Sequence, residues 1–160
     1  MRVVKFGKSK MPHQNDLDRT YIQMATSWSR LSKARRKQVG CLIVRDGTII
    51  SDGYNGTPRG FSNNCEVEEA APSMLASRGY TLATKPEVLH AESNAITKLA
   101  KSTQSSAGAT MYTTASPCLD CAKLIIQSNI IRLVYNELYK NEEGINLLKK
   151  AGVIVEQCES

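Results

Sequence analysis

The sequence predicts an α/β protein, a three-layer α/β/α sandwich around a mixed five-stranded sheet, and three observations lead there. Two short runs of strand-forming residues, 40–44 and 48–51, flank the turn pair Asp46-Gly47, the pattern of an antiparallel hairpin. The second half alternates strand-like and helix-like periods, which implies parallel pairing with helices laid over the sheet. A chain of 160 residues with 41% apolar content can bury one core without disulfides, so residues 1–160 read as a single domain.

Each element follows from its own pattern. Residues 16–34 place Tyr21, Ile22, Met24, Ala25, Trp28 and Leu31 at helical spacing behind Asp16 as a cap, and this first helix is expected to run into a basic cluster. After the hairpin, Gly53-Tyr54-Asn55-Gly56-Thr57-Pro58-Arg59-Gly60 reads as a loop whose glycines permit close approach to a ligand. Residues 61–89, acidic over 65–69 and interrupted by Pro72 and Pro86, read as an insertion with one short helix and little chemistry. A helix opens at His90, and the polar run 102–108 is a loop. Then come a strand at 110–113, a helix at 117–128, a strand at 131–135, a helix at 141–151 and a strand at 153–155. The helices opening at His90 and Pro117 are expected at one edge of the sheet, where ligands bind in open α/β folds.

Bulk properties narrow the function classes. No apolar run reaches the eighteen or so residues of a membrane span, and the segment from Met1 to Lys8 lacks a leader core. The expectation is a cytoplasmic protein without a membrane partner, in which Cys41, Cys65 and Cys158 are free thiols. The net charge is +6, with Arg30, Lys33, Arg35, Arg36 and Lys37 close together. That cluster suits a solvated helix end or an anion site, and the charge alone fits a phosphorylated small substrate as well as nucleic acid.

The chemistry is concentrated in His90-Ala91-Glu92 and Ser116-Pro117-Cys118-Leu119-Asp120-Cys121. A structural zinc site closes its tetrahedron with four protein ligands, whereas His90, Cys118 and Cys121 supply three and leave a position for water. With Pro117 as first helical residue, Cys118 and Cys121 would share one face of a first turn. Glu92, two residues beyond His90, need not bind the metal and is placed to carry protons. Taken singly, the histidine could be a cap and the C-x-x-C a redox pair or half of a zinc knuckle. Together and in this order they match the H-x-E and P-C-x-x-C signature of zinc-dependent nucleobase deaminases.

With these residues in hand, the chain resembles the cytidine deaminase superfamily and, within it, the deoxycytidylate deaminases of phage and bacterial type. The resemblance runs from about Tyr21 to Val155 through Val39-Gly40-Cys41-Leu42-Ile43-Val44, the Gly53-Tyr54-Asn55-Gly56 loop, His90 to Ile96, Ser116 to Ile125, and Leu138-Tyr139. It implies the cytidine deaminase-like fold and hydrolysis of dCMP to dUMP and ammonia. It also implies one catalytic zinc on His90, Cys118 and Cys121, with Glu92 as proton carrier. For the substrate it implies Asn55 on the sugar 3′-hydroxyl or the effector, the Ala91 backbone on the pyrimidine O2, the Ser116 carbonyl on the amine, Tyr139 against the base, and Arg36 and Lys37 on the phosphate. Arg35 and Lys140 are alternatives for that last role. It further implies a homohexamer activated by dCTP with Mg2+ and inhibited by dTTP, with Gly53, Tyr54, Asn55 and Gly56 in the effector site. Some relatives carry a second zinc, for which this chain offers only His13 and Cys65.

Two rivals share the zinc core: a deaminase of nucleic acid and a non-catalytic nucleotide-binding module. Aromatic content of 6% is low for stacking a polymer's bases, so no nucleic-acid partner is expected. An inactive relative would be expected to have lost the proton carrier, and Glu92 is present.

Overall fold

The computed structural model describes residues 12–70 and 79–158; the N-terminal segment considered above lies outside them. A five-stranded mixed sheet has the order β2-β1-β5-β6-β7, built from β1 (Gly40–Arg45), β2 (Thr48–Tyr54), β5 (Thr110–Ala115), β6 (Arg132–Glu137) and β7 (Ile154–Gln157). β1 is antiparallel to β2 and β5, while β5, β6 and β7 run parallel, as strand and helix alternation predicts. β3 (Glu66–Ala70) and β4 (Tyr80–Thr84) form a separate two-stranded antiparallel hairpin.

Strand alternation sorts the core into two layers. Cys41 and Ile43 of β1, Met111 of β5 and Leu133 of β6 face one side, packed with α2 (Ala91–Leu99), α3 (Leu119–Gln127) and Leu148 of α4 (Glu143–Lys150). Leu42, Val44, Tyr112 and Val134, one residue out of phase, face the other side and pack with Ile22 and Ala25 of α1 (Gln14–Ser29). The result is the expected three-layer sandwich, with one helix on one face and three on the other. A buried ion pair fastens the lone helix. Arg132 Nη1 and Nη2 reach Asp18 Oδ1 and Oδ2 at 2.9 and 2.7 Å, and the Tyr112 hydroxyl donates to Asp18 at 2.7 Å. Among the described residues no helix is long and apolar enough to cross a membrane.

The structure corrects three local expectations. α1 stops at Ser29, so the cluster from Arg30 to Lys37 is not helical. The Ser32 hydroxyl accepts from the Ala34 N–H and donates to the Asn55 carbonyl, a side-chain alternative to continuing the helix. His13, not Asp16, is the N-cap of α1, and Asp16 lies in its first turn, where its charge complements the helix dipole. Gly53 and Tyr54 are strand residues, because β2 pairs with β1 as far as Gly40 opposite Tyr54. Over its described residues the insertion forms a hairpin, with β3 paired to β4 from Glu66 opposite Thr84 to Ala70 opposite Tyr80, and residues 71–78, where the expected short helix can fall, lie outside the described residues.

Candidate active site

One edge of the sheet collects the ends of β2, β5 and β6 and the start of β1, as the register of Gly40 with Tyr54, Cys41 with Thr113 and Ala115 with Glu137 requires. His90 is delivered there by an isolated bridge. Gly56 and Leu89 exchange both backbone hydrogen bonds, at 2.9 and 3.0 Å, so the residue before His90 is tied to the chain leaving Asn55. α2 then packs close over β2 because position 53 has no side chain. A Cβ on Gly53 would stand 2.1 Å from the Ala91 carbonyl oxygen and 2.7 Å from the Ala95 nitrogen. Gly144 does the same for the other helix pair, where a Cβ would stand 2.1 Å from the Pro117 carbonyl oxygen.

His90 and Cys118 are the extended N-cap residues of α2 and α3, and Cys121 is the third helical residue of α3. Pro117 therefore precedes the cap instead of opening the helix. The correction matters because an extended cap residue directs its own side chain across the helix start. Cys118 Sγ and Cys121 Sγ each lie 3.4 Å from His90 Nδ1. Zinc–sulfur and zinc–nitrogen lengths of about 2.3 and 2.0–2.1 Å in a tetrahedron imply about 3.6 Å between such donors, so the trio fits that ion. It is the only group of three or more His, Cys, Asp or Glu donors so arranged among the described residues. Hydrogen bonds from Cys121 and His90 pull the Cys118 thiol down while the bond to Cys118 and burial push Cys121 up, so of this coupled pair Cys118 is the one poised to ionise first.

Glu92 sits on the first turn of α2, 4% exposed, and burial pushes its carboxyl up to about 7. Ala91, Ala115 and Ser116 line the same cavity with His90, Glu92 and Cys118. Ser116 is pinned by its N–H on the Glu137 carbonyl at 2.9 Å and by its hydroxyl, which accepts from the Tyr139 N–H at 2.8 Å. Tyr139 also lines the cavity, with Lys37 and Lys140 ammonium groups 4.9 and 5.2 Å from its ring centre.

The basic residues separate into two groups. Arg36 and Lys37 line the cavity, with Arg36 donating to Thr84 Oγ1 at 3.0 Å and Lys37 paired with Glu137 at 2.7 Å. Arg35 points elsewhere, paired with Glu68 at 3.1 Å on the exposed side of the hairpin. Asn55 is on the cavity wall, but both ends of its amide hold backbone: Oδ1 accepts from the Val39 N–H and Nδ2 donates to the Lys37 carbonyl, each at 2.8 Å. Tyr54, Asn55 and Gly56 also line a second cavity, of about 270 Å³, with Lys33, Asn94 and Lys98. Gly53 does not reach it, lying beneath α2.

Sequence reasoning missed the hairpin's share of the site. Glu66, Thr84 and Val88 all line the catalytic-side cavity, and Glu66 is 2% exposed although it belongs to an insertion read as carrying little chemistry. Local pattern carried no signal for it, because Glu66 is the single buried residue of β3 and the four that follow are exposed.

With this geometry established, comparison with known proteins is direct. Residues 15–137 match the family described as the cytidine and deoxycytidylate deaminase zinc-binding region. Deoxycytidylate deaminase of Enterobacteria phage T4 is 37% identical over 85% of this chain and 86% of its own. The Saccharomyces cerevisiae deoxycytidylate deaminase is 36% identical over 88% of this chain and 44% of its own. The crystal structure of the cyanophage S-TIM5 dCMP deaminase in complex with dCMP and dUMP superposes with a TM-score of 0.80 at 37% identity, covering 91% of this chain and 99% of that one. The chain therefore belongs to the cytidine and deoxycytidylate deaminase zinc-binding family.

Proposed function

We propose that this protein is a zinc-dependent deoxycytidylate deaminase that converts dCMP and water to dUMP and ammonia, supplying dUMP for thymidylate synthesis. The observation that carries the reading is Glu92, a buried carboxyl held near 7 on the same helix turn that His90 caps, facing the cavity that the metal-binding trio opens into. A hydrolytic deamination needs a group beside the metal donors that takes and returns protons, and Glu92 is placed to do this.

His90, Cys118 and Cys121 would hold the zinc, which supplies Lewis-acid activation of the attacking water. Glu92 would take the attacking water's proton and pass it to the ring N3, then take the proton of the new C4 hydroxyl and deliver it to the amine as the C4–N bond breaks, leaving a C4 carbonyl and ammonia. The Ala91 N–H orients the pyrimidine O2, and the Ser116 carbonyl, fixed by that residue's two other hydrogen bonds, accepts from the exocyclic amine. Tyr139 flanks the base. Arg36 and Lys37 take the 5′-phosphate, Arg36 through the fork geometry that suits phosphate oxygens. Asn55 retains one amide hydrogen and one lone pair for the sugar. The second cavity, with Lys33 and Lys98 on its wall, is the place for dCTP with Mg2+ or for dTTP, and Asn55 is common to both cavities. A homohexamer completes the reading.

The test is ammonia release from dCMP, dCTP, deoxycytidine and an adenosine-bearing tRNA fragment in parallel, with and without dCTP plus Mg2+ or dTTP. Zinc content and sedimentation are measured on the same preparation. Turnover of dCMP, raised by dCTP and lowered by dTTP in a hexamer, is the expected result. Turnover confined to the tRNA fragment, or full zinc with no ammonia from any substrate, overturns it.

A further inference from the structure

Two buried side-chain polar atoms among the described residues lack a hydrogen-bond partner, Thr57 Oγ1 and Glu66 Oε2. Such orphans are few in folded proteins and each calls for an explanation. Glu66 is the more demanding, because it is a carboxylate. Its other oxygen, Oε1, accepts from the Arg35 and Arg36 N–H groups at 2.9 and 3.1 Å, which fixes the side chain against the cation-bearing segment. The residue is 2% exposed and lines the same cavity as Glu92, His90 and Asn55. A carboxylate held there by one oxygen, with the second left over, is an acceptor awaiting a donor.

The chemistry of the proposed substrate selects the donor, and the inference rests on that reading. With C4 of the ring at the zinc side, the exocyclic amine, N3 and O2 are all engaged near Glu92, Ser116 and Ala91. The phosphate is an anion and is repelled by a carboxylate. The one remaining hydrogen-bond donor on a 2′-deoxynucleotide is the sugar 3′-hydroxyl. We infer that Glu66, carried on the β3–β4 hairpin, is a substrate-binding residue whose Oε2 accepts a hydrogen bond from that 3′-hydroxyl and so makes the enzyme select nucleotides that possess it. The inference requires Oε2, buried in this structure, to exchange burial against protein for burial against sugar when substrate binds.

Kinetics on two substrates and three proteins decide the matter: kcat/KM for dCMP and for 2′,3′-dideoxycytidine 5′-monophosphate in wild type, Glu66→Gln and Glu66→Ala. A hydrogen bond to a charged acceptor predicts that wild type prefers dCMP by about ten- to hundredfold. Glu66→Gln keeps an oxygen for the Arg35 and Arg36 N–H groups but places an amide at the Oε2 position, so the preference shrinks several-fold while the dideoxy substrate is little affected. Glu66→Ala reduces the preference to about twofold or less. Retention of the full preference in both variants overturns the inference, as does an equal loss on both substrates, the signature of a brace for the backbone alone. Wild-type inactivity on dCMP, with another cytosine compound deaminated, overturns the underlying reading and this one with it.

Discussion

The side of the cavity lined by the His90, Cys118 and Cys121 donors and the side proposed to hold the nucleotide are built by different means. His90, Glu92, Cys118 and Cys121 project from the first turns of two helices seated on the five-stranded sheet, each helix held at close range by a glycine contact, Gly53 under α2 and Gly144 against the chain entering α3. Arg36, Lys37, Glu66 and Thr84 come instead from the segment after α1 and from a hairpin outside that sheet. They are held by side-chain links: Glu66 to two backbone N–H groups, Arg36 to Thr84 and Arg35 to Glu68. The difference teaches which half tolerates change. Chemistry rests on backbone packing and permits little movement, while recognition rests on polar contacts that can rearrange around a ligand.

The sharpest way to break the comparison is at Glu92. Glu92→Gln keeps the size of a buried side chain and removes the proton carrier, so kcat should fall by about 10²–10⁴-fold. Zinc content and the urea midpoint should stay near wild type, because the trio His90, Cys118 and Cys121 is untouched. Loss of zinc along with activity would mean that the carboxylate also organises the metal donors.

Asp18→Asn addresses the scaffold beneath both halves. It leaves Arg132, half-buried, with only the more exposed Glu156 as its counter-charge, which costs about 1–3 kcal/mol of unfolding free energy, read as a lower urea midpoint, with KM unchanged. Burial raises the Asp18 carboxyl, but hydrogen bonds from Arg132, Tyr112 and Gln14 outweigh it and hold the group below the ordinary carboxylate range. A carboxyl depressed in the folded state contributes stability fully above its unfolded value of about 3.9, and that contribution is lost as pH falls through the folded value. The wild type should therefore show an acid-dependent loss in this window that Asp18→Asn lacks. Chemical denaturation between pH 5 and the acid limit measures both curves, and identical slopes would remove Asp18 from the account.

Gly53→Ala tests whether the metal side is held by packing. The added Cβ meets the Ala91 carbonyl, which is backbone and cannot swing away, so α2 must shift. Overpacking of this kind costs about 1–3 kcal/mol, and because the shifted turn carries His90 and Glu92, kcat should fall as well. A variant as stable and active as wild type would show that α2 is not seated through position 53.

How much of this was legible beforehand differs between the same two halves, for a physical reason. His90, Glu92, Cys118 and Cys121 cluster within two short motifs, and local helix geometry brings each pair together, so spacing alone reads out the arrangement. The hairpin that opens the sheet was legible because two runs of strand-forming residues flank the Asp46-Gly47 turn, which pairs Arg45 with Thr48. Glu66 was not, since its contact with Arg35 and Arg36 spans about thirty residues and depends on where a separate hairpin settles. Nor was the end of α1, where the Ser32 hydroxyl's bond to Asn55 is set by tertiary structure and overrides helical periodicity. Gly53, read as a ligand-facing glycine, turned out to be a packing position for the same reason: the sequence marks the absent side chain but not which neighbour fills the space.

The neighbouring arginines give the finest comparison, two identical side chains on one segment of the nucleotide side. Arg36 lines the cavity and donates to Thr84. Its loss should raise KM for dCMP by about tenfold, the equivalent of one charge-assisted hydrogen bond, with kcat nearly constant. Arg35 reaches Glu68 between two largely exposed groups, so Arg35→Ala should change stability by about 1 kcal/mol or less and leave KM within about twofold. Steady-state kinetics and urea melts on the two single variants settle the contrast. A KM effect from Arg35 equal to that from Arg36 would mean that the hairpin swings on substrate binding and brings the outer arginine onto the phosphate, making the polar contacts of this half a moving part of the site.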